Sequence, residues 1–139
     1  MEIFLDSSVI ILGLEKEKSN SAKILDLVFE KKIEATINSK VLIEVRRYFS
    51  KRRNNNYAFL IENLLRKHCK IIYESDLEKQ ILNFKGKIKE KDLIHLATVK
   101  ELSLKYLIAF DRDFKPFNEY KTPKQFLKEL KIKSESTDY

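Results

Sequence analysis

Four acidic side chains stand at points of the sequence where a catalytic site could form: Asp6, Glu44, Asp92 and Asp111. Asp6 and Asp111 each follow a short apolar run, and Asp92 opens the helical segment that leads into the second run. Ligands of parallel α/β sheets bind beyond the carboxyl ends of the strands, so these three carboxylates are expected at one edge of a sheet. Glu44 lies about one turn into another helix, at the border of its apolar face.

Carboxylates gathered in this way need a compensating cation. Two like charges about 4 Å apart repel by roughly 4 kcal/mol at an effective dielectric of 20. Mg²⁺ and Mn²⁺ are hard ions that favour carboxylate and water oxygens. One or two such ions can activate a water and neutralise the charge that builds on a phosphodiester. Asp113 could be an auxiliary ligand through water, although a turn role is favoured for it.

Each acid also has an ordinary structural role open to it. Asp6 could cap the helix that follows it, and Asp92, in the first turn of its helix, could interact favourably with the helix dipole. Asp111 could bond to the backbone of its own turn, and Glu44 could be a solvated residue paired with a helix neighbour. These roles are as good as a catalytic one for each acid alone. Their joint placement favours the metal site.

Other polar residues near these acids in the sequence have possible roles at the site. His95 follows Asp92 by one helical turn, so a catalytic base is conceivable, but its apolar neighbours favour a packing role. Arg47 and Lys51 belong to the densest basic segment, residues 46–53, and share the Glu44 side of their helix. They are candidate substrate-binding residues that would neutralise phosphates without reading sequence, and a solvated helix face is the alternative. A lysine-rich stretch, residues 85–91, could contact phosphates on the other side of the acids from Arg47 and Lys51.

The elements that must position these residues alternate along the chain. Strand-like apolar runs at residues 2–5, 33–37, 71–73 and 106–110 are separated by segments with helical periodicity. This alternation predicts an α/β fold with three layers, in which helices cover both faces of a parallel sheet. Residues 1–131 are expected to form the domain and residues 132–139 a flexible tail.

Composition narrows the class of protein. A length of 139 residues suits one domain, and a formal net charge of +7 favours polyanions, chiefly nucleic acid, as partners. The single cysteine, Cys69, excludes an internal disulfide. The apolar N-terminal run is broken by Asp6 and is too short to span a bilayer, so no membrane association is expected. A soluble protein of the cytoplasm is the expectation.

The acids lie in segments that resemble the motifs of the PIN-domain family, especially its single-domain VapC-type toxins. The segments are FLDSSV at 4–9, SKVLIEV at 39–45, DLIHLAT at 92–98 and LIAFDRDF at 107–114. They occur in the family's order over residues 2–130, and the last two are the most specific. Two positions depart from the pattern: Ser8, where the family often has Asn, and Ala109, where it often has Ser or Thr.

The resemblance implies a PIN-like sheet of four to five strands in the order 3-2-1-4-5. It also implies an endoribonuclease that cleaves RNA with a water activated by Mg²⁺ or Mn²⁺, held by Asp6, Glu44, Asp92 and Asp111. Such toxins are usually homodimers that a small antitoxin inactivates, and both partners are expected here. The lost hydroxyl at Ala109 is expected to loosen the orientation of the acids without removing a ligand.

Two alternatives stay open. One is a catalytically silent PIN-like module that binds RNA or a protein partner, and the other is an RNA-processing nuclease that is not a toxin. A phosphatase with an aspartyl nucleophile is disfavoured, because it needs a second Asp where this chain has Ser8.

Overall fold

The computed structural model describes residues 1–136, and its five parallel strands form one sheet in the order β3-β2-β1-β4-β5. The strands are β1 (Glu2–Leu5), β2 (Glu34–Asn38), β3 (Cys69–Ile72), β4 (Tyr106–Ile108) and β5 (Tyr120–Lys121). The helices are α1 (Ser7–Glu15), α2 (Asn20–Phe29), α3 (Ser39–Arg52), α4 (Asn55–His68), α5 (Glu78–Phe84), α6 (Glu90–Glu101) and α7 (Pro123–Glu129). Two short 3₁₀ turns cover Glu74–Leu77 and Arg112–Phe114. The predicted fold class and strand order are confirmed.

The central strand, β1, is the most deeply buried part of the sheet. Its residues Ile3, Phe4 and Leu5 are fully buried, as expected for a parallel strand covered by helices on both faces. Phe4 pairs in register with Leu107 of β4, and Leu5 pairs with Ile108. This register brings the carboxyl ends of β1 and β4 to the same edge of the sheet, where both strands deliver an acid.

The start of α3 is fixed by a side chain at the end of β2. Asn38 is fully buried, and its Oδ1 accepts a hydrogen bond from the backbone N–H of Val41 at 3.0 Å. Such a cap satisfies one of the free N–H groups of the first helical turn. Because α3 begins directly after β2, Glu44 stays near the same carboxyl edge as the acids that follow β1 and β4.

The fifth strand is too short to be visible in the hydrophobic pattern. It consists of Tyr120 and Lys121, and the backbone N–H of Ala109 donates to the carbonyl of Lys121 at 3.1 Å. Thr122 then caps α7 through a reciprocal capping box with Gln125. The resemblance, rather than the residue pattern, predicted this strand.

The end of the chain returns along α2. The backbone N–H of Glu135 donates to Asn20 Oδ1 at 2.7 Å, and the carboxylate of Glu135 pairs with Lys23 at 2.9 Å. The flexibility expected for residues 132–139 stays a prediction, and residues 137–139 lie outside the described residues. No helix among residues 1–136 is both long and apolar enough to cross a membrane.

Candidate active site

Asp6 lies at the junction of β1 and α1. Its backbone N–H donates to the carbonyl of Ile108 at 3.0 Å, which continues the pairing of β1 with β4 up to this residue. Asp6 occupies the N-cap position of α1, yet its side chain accepts no capping hydrogen bond from the helix in the described structure. The Asp6 carboxylate therefore does not cap α1.

Asp6, Glu44 and His95 form the first of two clusters, in which one ligand atom from each residue lies within 4.8 Å of the others. His95 Nε2 is 3.3 Å from Asp6 Oδ1 and 3.9 Å from Glu44 Oε1. The first turn of α1 holds both carboxylates: Ser8 Oγ donates to Asp6 Oδ2 at 2.7 Å, and Ser7 Oγ donates to Glu44 Oε1 at 3.3 Å. Glu44 is thus paired with α1, rather than with a neighbour on its own helix.

Asp92, Asp111 and Asp113 form the second cluster, again with ligand atoms within 4.8 Å of one another. Asp111 Oδ1 accepts a hydrogen bond from the backbone N–H of Asp113 at 2.9 Å, so Asp111 does bond to the backbone of its own turn, which was the alternative to a metal role for this acid. Asp92 is only 6% exposed, and its Oδ2 atom is buried without a hydrogen-bond partner among residues 1–136. An unsatisfied buried polar atom of this kind costs about 1–3 kcal/mol.

The two clusters share one electrostatic environment. Burial, followed by the charge of Asp111, raises the pKa of Asp92 to about 6, and Asp6 adds to this shift. Burial, followed by the charge of Asp6, also raises the pKa of Glu44. Burial opposes ionisation of Asp111 as well, but the Asp113 N–H and the nearby Lys91 ammonium outweigh it and hold the pKa of Asp111 below its usual value. Asp6 therefore acts on one acid of each cluster, so the two clusters are electrostatically coupled, and we call them together the acidic pocket.

This pocket fits a hard divalent cation. Its donors are carboxylate oxygens from four separate segments, and such oxygens are the preferred ligands of Mg²⁺ and Mn²⁺. The buried Oδ2 atom of Asp92 accepts no hydrogen bond from residues 1–136, and a bound cation would take the place of the missing donor. The metal role of the four predicted acids stays a prediction, but the structure places all of them at one edge of the sheet.

A hydrogen-bond chain from β2 fixes the tautomer of His95. Asn38 Oδ1 accepts from the Val41 N–H, so the amide Nδ2 faces α6, where it donates to Thr98 Oγ1 at 3.1 Å. The same Nδ2 lies 3.0 Å from His95 Nδ1. An amide NH₂ only donates, so Nδ1 is the acceptor and the ring proton is on Nε2, which faces Asp6.

His95 is neutral at physiological pH. Burial lowers its pKa to about 4, although the charge of Asp6 acts in the opposite direction. The ring also packs against Phe4, with centroids 5.2 Å apart. The predicted packing role therefore describes one side of the ring, and on the other side Nε2 lies 3.3 Å from Asp6 Oδ1.

Two lysines at the start of α6 lie against the second cluster. Lys89 Nζ is 3.0 Å from Asp113 Oδ2, and Lys91 Nζ is 3.5 Å from Asp111 Oδ2. Both ammonium groups are mostly exposed, so each pair contributes little to stability by itself. Their importance is electrostatic, because they partly neutralise Asp111 and Asp113. Both belong to the lysine-rich stretch, residues 85–91, that was predicted to lie on the other side of the acids from Arg47.

The two predicted substrate-binding residues lie in different places. Arg47 lines a cleft of about 450 Å³ together with Glu44 and Lys40, and its charge counters the raised pKa of Glu44. Lys51 lines a neighbouring groove between α3 and α4, which Arg47 also borders. The structure thus brings Arg47 to the cleft of Glu44, together with Lys40.

The family profile of the PIN domain matches residues 3–119 of the chain. The chain belongs to the PIN domain family. The matched range includes all the acids of the pocket, together with Asn38 and His95. No curated protein matches this PIN domain by sequence.

Solved structures share the fold of this PIN domain at low sequence identity. A chain of a toxin-antitoxin complex from Klebsiella pneumoniae aligns with a TM-score of 0.69 at 19% identity, over 87% of this chain and 97% of that one. VapBC2 from Rickettsia felis, bound to a DNA fragment from its promoter, aligns with a TM-score of 0.67 at 16% identity, covering 88% and 98%. The sarcin-ricin loop cleaving toxin VapC20 from Mycobacterium tuberculosis aligns with a TM-score of 0.59 at 18% identity, covering 82% and 93%. These likenesses show the fold.

The two departures from the family pattern have different consequences in this PIN domain. Ser8 still provides a donor to the first acid, through its 2.7 Å hydrogen bond to Asp6. Ala109 is fully buried and offers no hydroxyl to the second cluster. The backbone N–H of Asp113 supplies a donor to Asp111 instead.

Proposed function

We propose that this PIN domain is an endoribonuclease that depends on Mg²⁺ or Mn²⁺. The observation that carries the proposal is the position of Asp6, Glu44, Asp92 and Asp111 in two electrostatically coupled clusters at one edge of the sheet, where a buried Asp92 oxygen has no hydrogen-bond partner among the described residues. An arrangement of this kind is unfavourable unless a cation occupies it. The cations around the acids would bind a polyanionic substrate, so nuclease chemistry is the function that suits this pocket best.

The four acids would hold the ion, and Asp113 would assist through water. A bound divalent ion would supply an activated water at neutral pH and compensate the charge that builds on a phosphodiester. Membership of the PIN domain family supports this assignment, as does the all-oxygen donor set of the acids.

The remaining residues orient the acids and the substrate. Ser7 donates a hydrogen bond to Glu44 and Ser8 donates one to Asp6, and Nε2 of His95 lies 3.3 Å from Asp6 Oδ1. Such partners restrict the carboxylate rotamers before a ligand arrives. On the α3 side, Arg47 and Lys40 would hold a phosphate of the backbone, without distinguishing between bases.

The proposed substrate is RNA, and the proposed biological role is that of a toxin. The net charge of +7 supports a polyanionic substrate. The fold likeness to chains from toxin-antitoxin complexes supports a small antitoxin as partner. A homodimer is proposed from the resemblance of the motifs to those of VapC-type toxins. An RNA-processing role without an antitoxin is the second candidate, and a silent RNA-binding module the third.

Incubation of the chain with labelled RNA tests the activity. We expect cleavage with Mn²⁺ or Mg²⁺ and none with EDTA. Asp92→Asn should lose at least about 100-fold in rate, since it removes one ligand charge. Asp26→Asn is the matched control, because Asp26 is exposed on α2 and the chemical change is the same. Equal cleavage by wild type and Asp92→Asn would refute the site, and RNA binding without cleavage would support the silent module.

A further inference from the structure

A cleft of about 730 Å³ opens beside Asp111, on the β5 side of the sheet edge. Two of its lining residues, Phe110 and Arg112, flank Asp111 directly in the chain, and the others come from segment 115–128. Glu44 and Arg47 follow β2, on the other side of β1. The acids of the pocket therefore lie between this cleft and the cleft that Arg47 lines.

The lining of this basic cleft is positive. Its cations are Arg112, Lys115, Lys124 and Lys128, and no acidic side chain of residues 1–136 lines it. Lys89 and Lys91, at the start of α6, are paired with Asp113 and Asp111, whereas none of the four cations of the basic cleft has an ion-pair partner within residues 1–136. The one fixed ammonium is that of Lys124, which donates to the carbonyl of Ser136 at 3.0 Å. Most of this charge is therefore free to meet a ligand.

Two aromatic side chains lie among these cations. Phe110 and Tyr120 line the basic cleft and are partly buried, and the Tyr120 hydroxyl donates to the carbonyl of Phe110 at 3.4 Å. Cationic grooves that include aromatic rings bind single-stranded nucleic acid, because the cations meet phosphates and the rings meet bases. A purely electrostatic site for small anions would not need these rings.

We propose that the basic cleft binds the phosphate backbone of single-stranded RNA on the β5 side of the acids. This inference rests on the proposed ribonuclease function and extends it. A strand whose scissile phosphate lies at Asp111 must pass over the residues that flank Asp111, and these already belong to the cleft. The strand would then run from the Arg47 side, across the acids, into the basic cleft.

Binding measured without catalysis tests the inference. The probe is a fluorescein-labelled single-stranded RNA of mixed sequence, and its anisotropy is followed in EDTA at several salt concentrations. The test variant combines Arg112→Gln, Lys115→Gln and Lys128→Gln. The control combines Lys31→Gln, Lys67→Gln and Lys70→Gln, which remove the same charge from exposed positions at the amino-terminal edge of the sheet. Circular dichroism confirms that each variant is folded.

The two variants should separate clearly. We expect the cleft variant to bind RNA at least about tenfold more weakly than the control, and the slope of log affinity against log salt to fall by about 2, since each lost phosphate contact contributes about 0.7. Equal affinity and slope in both variants would overturn the inference, while cleavage by the wild type would leave the nuclease proposal intact. Failure of the wild type to bind RNA would overturn both. Competition by polyglutamate as effective as that by unlabelled RNA would make the cleft a site for acidic peptides and also overturn the inference.

Discussion

His95 Nε2 lies 3.3 Å from Asp6 Oδ1, and its opposite ring nitrogen lies 3.0 Å from the amide of Asn38. Asn38, at the end of β2, thus fixes the proton of a ring whose Nε2 faces Asp6, the acid at the end of β1. A neutral donor in this place orients a carboxylate without neutralising it. His95 is for this reason a positioning residue in our account, and the first prediction concerns it.

Replacement of His95 should separate the two functions of the ring. His95→Phe keeps the packing against Phe4 but removes the donor to Asp6, so Mn²⁺ affinity should fall by about 10- to 100-fold. His95→Gln can still present an N–H and should retain more affinity. Isothermal titration of the metal-free protein measures both variants.

The tautomer is tested by ¹⁵N NMR of the ring. The spectrum should show a proton on Nε2 and an unprotonated Nδ1 throughout pH 5 to 8. A proton on Nδ1, or equal Mn²⁺ affinity in wild type and His95→Phe, would contradict the positioning role.

Asp92 should lower the stability of the metal-free protein. Its ionised carboxylate is buried beside Asp111, and burial is the largest cause of its raised pKa. Asp92→Asn removes this charge and should raise the free energy of unfolding at pH 7 by about 1 to 3 kcal/mol, or several degrees in Tm. Thermal melting in EDTA measures the effect, with Asp26→Asn as the control that should not change. A less stable Asp92→Asn protein would show that the carboxylate is satisfied in a way we have not recognised.

Acid stability should reveal two opposing titrations. The pKa of Asp92 is raised from 3.8 to about 6, so its contribution to stability is present below pH 4 and lost as the pH rises through 6. The pKa of His95 is lowered from 6.5 to about 4, so its contribution is present above pH 6.5 and lost as the pH falls through 4. Between pH 4 and 6.5 the two effects have opposite signs and partly cancel.

Variants should separate these titrations. On acidification from pH 6.5 to 4 in EDTA, Asp92→Asn should lose more stability than the wild type, because only the His95 effect remains. His95→Gln should lose less, because only the Asp92 effect remains. Denaturant melts at several pH values measure both trends. Parallel stability curves for all three proteins would contradict the assignment.

Much of this site could be predicted from local pattern. An acid directly after an apolar strand lies at the carboxyl edge of the sheet in a parallel α/β fold. The sequence therefore predicts Asp6 and Asp111 at this edge. The helical wheel placed Glu44 at the border of the buried face, and its side chain is 41% exposed. These predictions depend only on periodicity and strand direction.

The position of the His95 ring beside Asp6 could not be predicted from the sequence pattern in this way. All residues from Asp92 to Val99 are buried, so the apolar pattern of α6 does not show which side of the helix faces the acids. The orientation of the ring depends on Asn38, which lies 57 positions away in the chain. The basic cleft escaped prediction for a similar reason, since its cations come together only when β5 and α7 pack beside Asp111.

The central claim is that the converging carboxylates form one cation site, and calorimetric titration of the metal-free protein with Mn²⁺ at pH 7.5 tests it most directly. We predict binding to the wild type and to Asp26→Asn with similar affinity, and a large loss in both Asp6→Asn and Asp92→Asn, which take one acid from each cluster. Absence of Mn²⁺ binding to the folded wild type, or binding that neither substitution weakens, would contradict the account.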